Sequence, residues 1–420
     1  MTTAETDRQP RGAFTVLSSR NYRIYIGGQS LTNTGSWMQS IAQDWLIYSL
    51  THSSTAVGVT MALQFGPMLV LGMHAGALAD RLPKRRILLV TQSLNAIATL
   101  ALAVITIAGA ARAIDVYVFA LMSGVIFAFD APARQSFVNE VVPEGRLQSA
   151  IALNAAVFQA TRLIGPAIAS VLIVSVGTGW VFAANAASYL CPTIGLLLLR
   201  TSELRPVTNA RPAPQAVRSA IVYLRGRPDV LRTIFLVGML GTFGLNFPIV
   251  LTAMAKSSFG GDASTYGLFN IVLGLGSAAG AVLAAAGHRP RMRAIVASAA
   301  AFGVLEAAAA LAPNLAAFLP LLAVMGFVNL ICQAMANASV QLTIDPELRG
   351  RVMGLYMLVF VGGTPLGAPA IGAITSHYGA RVGMLVCGLI PLAAAVAVAV
   401  SGRERSSRPP ALAPMLERVG

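Results

Sequence analysis

Three charged residues lie inside long apolar stretches of the sequence, where charge is costly: Asp44, Arg162 and Glu306. A carboxyl group in an apolar setting can exchange protons near neutral pH, so Asp44 and Glu306 are candidates for proton coupling or ligand binding. An arginine in such a setting needs a negative partner, and for Arg162 both a functional role and a structural ion pair remain open. We interpret His74 as a packed or gate-adjacent polar group.

Two sets of polar side chains recur at helical spacing. One set is Gln29, Asn33, Ser36, Ser40 and Gln43, and the other is Asn329, Gln333 and Asn337. Spacings of three and four residues place each set on one face of a helix. Such a face either lines a cavity or makes hydrogen bonds to a neighbouring helix, and both interpretations remain open. Large apolar residues accompany these faces and suit either an amphipathic ligand or plain packing: Trp37, Phe243, Phe247, Phe327 and Met335.

The composition shows which elements must position these side chains. Of the 420 residues, 56% are hydrophobic and 11% are charged, too few charges to cover a soluble protein of this size. We therefore predict an all-α membrane protein with twelve spans, each near the ~20 residues that cross a bilayer. The predicted spans lie near 22–47, 55–79, 87–109, 116–135, 149–176, 179–199, 230–254, 265–286, 294–312, 315–337, 351–376 and 380–401.

The positive charge indicates orientation. Of the 30 lysines and arginines, 26 lie in the two tails and in every second connection, whereas Arg112, Lys256 and Arg381 lie on the other side. The positive-inside bias therefore predicts that both termini are cytoplasmic. This distribution accounts for the net charge of +14 without nucleic-acid binding. We expect no cleavable signal peptide and no disulfide or zinc site, since Cys191, Cys332 and Cys387 lie in or beside spans at no metal-ligand spacing.

An internal repeat divides the chain. Residues 142–170, moved along by 203 positions onto 345–373, give eight identities in 29 ungapped positions, among them Pro166-Ala167-Ile168 with Pro369-Ala370-Ile371. Parallel repeats of this kind build the two halves of some transporters. The predicted organisation is a tail (1–21), a six-helix bundle (22–199), a linker (200–229), a second bundle (230–401) and a tail (402–420). Within the linker, Gln215–Leu224 reads as a short amphipathic helix that either binds a partner or merely tethers the bundles.

The connection between spans 2 and 3 carries the most specific motif. It reads Gly76-Ala-Leu-Ala-Asp80-Arg81-Leu-Pro83-Lys84-Arg85-Arg86. It resembles the signature loop of the major facilitator superfamily, with Pro83 in place of the second glycine of the loop. The resemblance covers essentially the whole chain and implies two pseudo-symmetric six-helix bundles.

Other segments resemble the branch that contains the enterobactin exporter and bacterial drug-efflux proteins. They are Asn21-Tyr22-Arg23, Gly35-Ser36-Trp37-Met38-Gln39, Pro132-Ala133-Arg134-Gln135 and Arg162-Leu-Ile-Gly165-Pro166. In the antiporter motif of span 5, Gly165 and Pro166 are kept, whereas Thr161, Ala169 and Ser170 replace the other glycines. Small residues there still permit close helix packing.

The resemblance implies a cytoplasmic gate. Asp80 would pair with the positive N-terminal end of span 11, near Arg351, and Lys84 would pair with Asp130 at the end of span 4. Such a latch would favour an outward-open state. The alternative is that the basic residues only anchor the loop at the membrane surface.

These observations predict a secondary active transporter, a proton-coupled exporter of small amphipathic compounds such as drugs, siderophores or secondary metabolites. A metabolite importer or facilitator of the same fold, and a receptor or scaffold without transport, are the alternatives. We expect no enzyme activity, no cofactor and no metal, because the few His, Asp and Glu residues form no cluster. The expected partners are a small-molecule substrate, protons and the lipid bilayer of a bacterial inner membrane, and the expected state is a monomer.

Overall fold

The computed structural model describes residues 13–143, 145–204, 223–285 and 291–406, and all regular structure in these ranges is helical. Two short 3₁₀ helices cover Ala13–Ser18 and Thr201–Glu203. The long helices are α1 (Arg20–Thr51), α2 (Ser54–Arg81), α3 (Lys84–Ile107), α4 (Ala113–Val141), α5 (Leu147–Val176), α6 (Thr178–Leu198), α7 (Pro228–Ser258), α8 (Ala263–Ala285), α9 (Met292–Ala310), α10 (Leu315–Thr343), α11 (α11a, Pro346–Gly362, and α11b, Thr364–Tyr378) and α12 (Ala380–Ser406).

Eleven of these helices contain a segment long and apolar enough to cross a membrane. The twelfth, α1, is 32 residues long but carries the polar face predicted from the sequence, which lowers its hydropathy. Because the twelve helices alternate in direction, the beginning of α1 and the end of α12 lie on the same side of the bundle, which we call the terminus face. The other side is the opposite face.

Three of the predicted spans are interrupted. Helix α6 is broken at Tyr189, and α11 is broken at Gly363. Helix α7 contains two π-helical segments, Leu240–Gly244 and Met254–Ser258. Hydropathy reports the length of an apolar stretch and not its hydrogen-bonding pattern, so the sequence prediction treated each of these spans as continuous. Neighbouring helices supply the packing that such breaks need.

The ends of the helices show the internal repeat again. Gly177 separates α5 from α6, and Gly379 separates α11b from α12, each with a φ of +92°. Residues with a side chain rarely adopt this backbone conformation, so glycine is required at both turns. Elsewhere Ser19, Ser53 and Asn314 cap α1, α2 and α10 by accepting hydrogen bonds from backbone N–H groups, as N-cap residues do.

Helix packing follows the same repeat. Helix α2 packs on α4 as α8 packs on α10, and α3 packs on α6 as α9 packs on α12. The first six helices contact the last six mainly through two pairs, α2 with α11b and α5 with α8. These pairs exchange under the repeat, because α5 corresponds to α11 and α2 to α8. The predicted linker helix Gln215–Leu224 lies almost wholly outside the described residues.

The contact between the two sets of six helices is tight near the opposite face. A Cβ atom at Gly372 of α11b would lie 2.7 Å from the carbonyl oxygen of Ser54 in α2, and one at Gly267 of α8 would overlap Ser170 of α5. Small residues therefore let the backbones approach closely. We call the contacts between the two sets of helices near the opposite face, mainly those of α2 with α11b and of α5 with α8, the closed interface.

Candidate functional site

A cavity of about 670 Å³ lies among the first six helices. Helices α1 to α6 form its walls. The cavity extends from Ser40 and Gln64 in the interior to Gln135 and Val138, near the terminus-face end of α4. Gln135 and Phe158 are exposed, so the cavity is accessible from the terminus face. The closed interface lies beyond its other end. The molecule is thus open towards the terminus face and closed towards the opposite face.

Most of the predicted polar face of α1 lines this cavity. Gln29, Asn33, Ser36, Trp37 and Ser40 all contribute to its walls. Gln43 lies one turn further, is buried, and donates a hydrogen bond from Nε2 to Oε1 of Gln64 in α2 at 3.3 Å. Both interpretations left open by the sequence therefore hold on one helix: cavity lining along most of the stripe and an interhelical hydrogen bond at its end.

Asp130 and Arg134, one turn apart on α4, form an ion pair in the cavity wall, with Nη2 of Arg134 2.6 Å from Oδ2 of Asp130. Arg134 also donates to Oε1 of Gln29. Thr91 and Gln92 of α3 donate to Oδ1 of Asp130 at 2.7 and 3.1 Å. Each charge is thus satisfied inside the first six helices. Among the described residues, Asp130 is the one carboxylate that lines the cavity.

The predicted pairing of Lys84 with Asp130 is wrong. Nζ of Lys84 lies 3.1 Å from Oε1 of Glu140, and both side chains are largely buried. Glu140 lies ten residues beyond Asp130, about 15 Å further along α4, and therefore at the level where α3 begins. Asp130 is already occupied by Arg134, Thr91 and Gln92. The rise of α4 thus places Glu140, and not Asp130, at the height of Lys84.

Arg162 lies one turn beyond Phe158 on the same face of α5. Its guanidinium carbon is 5.7 Å from the ring centroid of Trp37, and the rings of Trp37 and Phe158 pack edge to face with centroids 5.8 Å apart. Both rings line the cavity. Among the described residues no carboxylate lies within ion-pairing distance of Arg162. Its charge is stabilised by a cation–π contact instead.

The Gly165–Pro166 motif holds α5 against α1. A Cβ atom at Gly165 would lie 3.0 Å from the carbonyl oxygen of Thr34 and against the Cβ of Trp37. Glycine at this position therefore sets the distance between the helices that carry Trp37 and Arg162. This is the packing role expected of small residues at helix crossings.

The polar face of α10 lies apart from the main cavity. Gln333, Asn337 and Gln341 line a second, open cavity of about 430 Å³ between α8 and α10, with small alanines around them. Asn329 is buried and accepts a hydrogen bond from Nε2 of Gln333 at 2.9 Å. This second cavity thus offers amides and methyl groups, whereas the cavity of the first six helices combines its amides with an ion pair and aromatic rings.

Asp44 belongs to the contact between the two sets of helices. It is buried on α1, and the hydroxyl of Tyr266 in α8 donates to its Oδ2 at 3.0 Å. The ring of the adjacent Trp45 stacks on Tyr266 with centroids 6.4 Å apart. Near the same face, the backbone N–H of Thr55 in α2 donates to Oγ of Ser376 in α11b at 2.9 Å. Asp44 therefore lies at the closed interface and outside the cavity wall.

The other two sequence candidates within spans are separate from the cavity. Glu306 of α9 is fully buried where α9 crosses α12 at Gly303 and Gly388, and its two oxygens have no hydrogen-bond partner among the described residues. His74 of α2 is exposed, so it is not packed, and its interpretation as a gate-adjacent polar group stays a prediction. Hydropathy placed it in a span without showing which way that face of α2 points.

The signature loop is described only in part. The side chain of Asp80 lies outside the described residues, so its predicted latch stays a prediction. Nothing within 4 Å of Gly76 would meet a Cβ atom, and Arg81 is exposed. Arg85 donates from Nε to the carbonyl oxygen of Leu196 at 2.7 Å, near the end of α6. The loop is therefore tied to α6 by the C-terminal carbonyls of that helix, which attract cations.

Several cavity residues were missed by the sequence argument. They are Tyr25, Gln64, Phe65, Gln92, Asn95, Ser123, Phe127, Asn154, Phe158 and Tyr189. Only the polar ones on α3 gave a signal: Gln92 and Asn95, three residues apart, form a short polar face within an apolar helix. The aromatic residues gave no such signal, because an aromatic side chain in a membrane helix can face lipid, a neighbouring helix or a cavity.

The described residues contain no group of three or more His, Cys, Asp or Glu side chains placed to hold a metal ion. The groups that line the cavity offer hydrogen bonding by amides, aromatic stacking and interaction with charge. A polar cavity inside a bundle of membrane-spanning helices, accessible from one face and closed at the other, is typical of a membrane transporter.

Solved structures show the same fold. A bacterial homologue of the human lysosomal transporter Spinster, in an inward-facing and unoccupied conformation, superposes with a TM-score of 0.69 at 15% identity, over 93% of this chain and 99% of that one. A D-xylose–proton symporter superposes with a TM-score of 0.65 at 13% identity, over 89% and 97%. The fold is that of the major facilitator transporters, as predicted.

The family described as transmembrane secretion effector matches residues 11–412, and the chain belongs to this family of major facilitator proteins. The multidrug efflux pump Tap of Mycolicibacterium fortuitum is 28% identical over 84% of this chain and 89% of that protein. The enterobactin exporter EntS of Salmonella typhimurium is 24% identical over 82% and 85%. The protein is therefore a multi-pass membrane transporter.

Proposed function

We propose that this protein is a proton-coupled exporter of small amphipathic compounds in a bacterial inner membrane. The observation that carries the proposal is the cavity of about 670 Å³, whose walls combine amides, an ion pair and aromatic rings. An amphipathic molecule needs both polar and apolar contacts. The relatives named as an efflux pump and an exporter support the outward direction.

The terminus face is proposed to be cytoplasmic, since 26 of the 30 basic residues lie in the tails and connections of that side. The structure then represents a state open to the cytoplasm, ready to accept cargo. Export requires the closed interface to open and the terminus-face ends to close. The Asp80 loop is proposed to hold the closed cytoplasmic side, as the superfamily resemblance implies.

Proton coupling supplies sufficient energy for this cycle. One proton that crosses a membrane potential of ~100 mV releases about 2.3 kcal/mol. Since each ~1.4 kcal/mol corresponds to a tenfold ratio, one proton sustains a concentration gradient of roughly 40-fold. The buried carboxyl groups of Asp44, at the closed interface, and Glu306, between α9 and α12, are the candidates for carrying it. Asp130 joins them because it lines the cavity.

The test uses inverted membrane vesicles from a host without its own efflux pumps. Respiration acidifies the interior, and an exporter then accumulates an amphipathic dye such as ethidium or 1-anilinonaphthalene-8-sulfonate inside the vesicles. We expect uptake that collapses when nigericin and valinomycin remove the proton gradient. Asp80→Asn should reduce this uptake while membrane insertion stays normal.

Uptake that ignores the ionophores contradicts proton coupling. Accumulation only in right-side-out vesicles contradicts export and favours the importer. Binding of dye without any flux in either orientation favours a receptor. Vesicles from the same host without the protein provide the baseline for each of these measurements.

A further inference from the structure

The charges around the cavity do not balance. Arg134 is neutralised by Asp130 through an ion pair of 2.6 Å, and Lys84 is neutralised by Glu140 at 3.1 Å. Arg162, in contrast, is paired with no carboxylate of the described residues and rests on Trp37. Asp44 lies seven residues beyond Trp37 on α1, about 10 Å further along the helix axis, and is bonded to Tyr266.

An arginine within a membrane span normally faces a carboxylate or a bound anion. Position favours the second for Arg162. It lies 15 residues beyond Leu147, where α5 begins, so it is about 22 Å from the terminus-face end of that helix. Arg162 therefore lies deeper in the bundle than the terminus-face ends of α1 and α4, where the cavity is accessible. The charge is held next to the aromatic wall and away from the lipid headgroups.

Aromatic side chains line the cavity, and one of them, Trp37, contacts this charge. Trp37 and Phe158 form the wall next to Arg162, and Phe65 and Phe127 line the cavity as well. Ring faces suit flat apolar ligands, and a guanidinium group donates several hydrogen bonds to one negative group. The remaining polar lining consists of neutral amides and hydroxyls, together with the neutralised pair Asp130–Arg134.

We propose that the cavity binds an anionic aromatic cargo, whose negative group pairs with Arg162 while its ring lies against Trp37 and Phe158. This inference rests on the proposed export function and names the substrate class. In this arrangement the cargo supplies the countercharge that the protein lacks. A cation of the same size would instead meet the net positive charge of Arg162, which lies over the Trp37 ring of the cavity wall.

The experiment uses two probes that differ by one charged group. 1-Anilinonaphthalene-8-sulfonate is an anion, and N-phenyl-1-naphthylamine is the same ring system without the sulfonate. Binding of each, and of the aromatic cation ethidium, to the full chain in lipid nanodiscs is measured by calorimetry, with empty nanodiscs as background. The variants are Arg162→Gln, Arg162→Lys and Arg225→Gln. Arg225 is an exposed arginine before α7, so its variant loses the same charge away from the cavity.

We expect Arg162→Gln to weaken binding of the sulfonate at least tenfold, corresponding to about 1.4 kcal/mol, and to change binding of the neutral probe less than twofold. Arg162→Lys keeps the charge and should retain most of the sulfonate binding. Arg225→Gln should match the wild type with both probes.

Three results would overturn the proposal. Equal losses of both probes in Arg162→Gln would show that Arg162 only positions Trp37. Unchanged sulfonate binding would show that another group binds the anion. Stronger wild-type binding of ethidium than of either naphthalene would show a preference for cations. If ethidium is also pumped into inverted vesicles, the exporter function stands and only the anionic substrate class fails; absence of any pumped dye refutes the exporter function itself.

Discussion

The two ends of the interface between the first and last six helices are built differently. At the closed interface, small residues and single hydrogen bonds join one set of helices to the other, as between Thr55 and Ser376 and between Tyr266 and Asp44. At the terminus face, the ion pairs Asp130–Arg134, Lys84–Glu140 and Arg227–Asp345 each join residues within one set. These ion pairs therefore keep their partners when the halves separate, whereas the closed end opens by breaking packing contacts and single hydrogen bonds.

The strongest way to disturb this difference is to enlarge a residue at the closed interface. Gly267→Leu places a side chain where Ser170 of α5 already lies, so α5 and α8 cannot approach. We expect export to fall by more than about 100-fold, because overpacking costs ~1–3 kcal/mol or more and acts on one state of the cycle. Dye uptake into inverted vesicles measures it.

Gly27→Leu is the matched control for this prediction. Gly27 is exposed on α1, and a Cβ atom there meets nothing within 4 Å. Its variant should insert and transport like the wild type. Normal transport by Gly267→Leu would contradict the proposed role of close packing between α5 and α8.

The next largest effect is expected at the open end. Asp130→Asn removes the carboxylate from Arg134 and leaves a buried guanidinium without its countercharge, a change that typically costs ~3–5 kcal/mol. Export should fall about 10- to 100-fold, with lower thermal stability in detergent. The double variant Asp130→Asn/Arg134→Gln removes both charges and should recover much of the stability. A double variant no more stable than the single one would contradict the pairing.

A smaller effect is expected at the hydrogen bond between Asp44 and Tyr266. A typical hydrogen bond contributes ~0.5–1.5 kcal/mol, so Tyr266→Phe should shift the ratio of the two open states about 3- to 10-fold. Spin labels at Ser53 and Ser376, on the two sides of the closed interface, would report the shift as a change in distance distribution.

Asp44→Asn separates this structural role from proton coupling. If Asp44 only holds Tyr266, its variant behaves like Tyr266→Phe; loss of proton-driven uptake beyond that level would identify Asp44 as a coupling group. Glu306→Gln is the comparison, since Glu306 is equally buried but lies between α9 and α12, away from the closed interface. We expect Glu306→Gln to leave the ratio of the two open states unchanged.

The smallest effect concerns the first turn of α8, which leads into the closed interface. Oδ1 of Asp262 accepts hydrogen bonds from the hydroxyl and N–H of Ser264 and the N–H of Thr265, and these bonds lower the pKa of Asp262 from its ordinary value. A lowered folded-state pKa stabilises the folded protein above about pH 4, and this contribution is lost as the pH falls through the folded pKa.

Asp262→Ala should therefore lower the melting temperature at pH 7 by about 1–2 °C, as expected for a lost cap in a chain of this length. The difference from the wild type should shrink on acidification towards pH 3, and transport should be unchanged. A constant difference across this range would show that the carboxylate does not act through its charge.

The sequence predicted the fold well and the site in part. The twelve helices, the repeat and the superfamily follow from apolar length, a 203-residue offset and the Gly76–Arg86 loop, all of which are local or periodic signals. The cavity face of α1 followed from its helical spacing. The wrong pairing of Lys84, in contrast, depended on the relative heights of α3 and α4, which no single helix encodes. The missing partner of Arg162 likewise depends on how α1, α5 and α8 come together.

The three tryptophans occupy three different environments. Trp37 lies in the cavity wall under Arg162, Trp45 stacks on Tyr266 at the closed interface, and Trp180 is 53% exposed on α6. Indole fluorescence depends on local polarity and on nearby quenchers. Variants that keep one tryptophan would thus act as built-in optical probes, with Trp37 reporting occupancy of the cavity, Trp45 reporting opening towards the far side, and Trp180 serving as the internal reference.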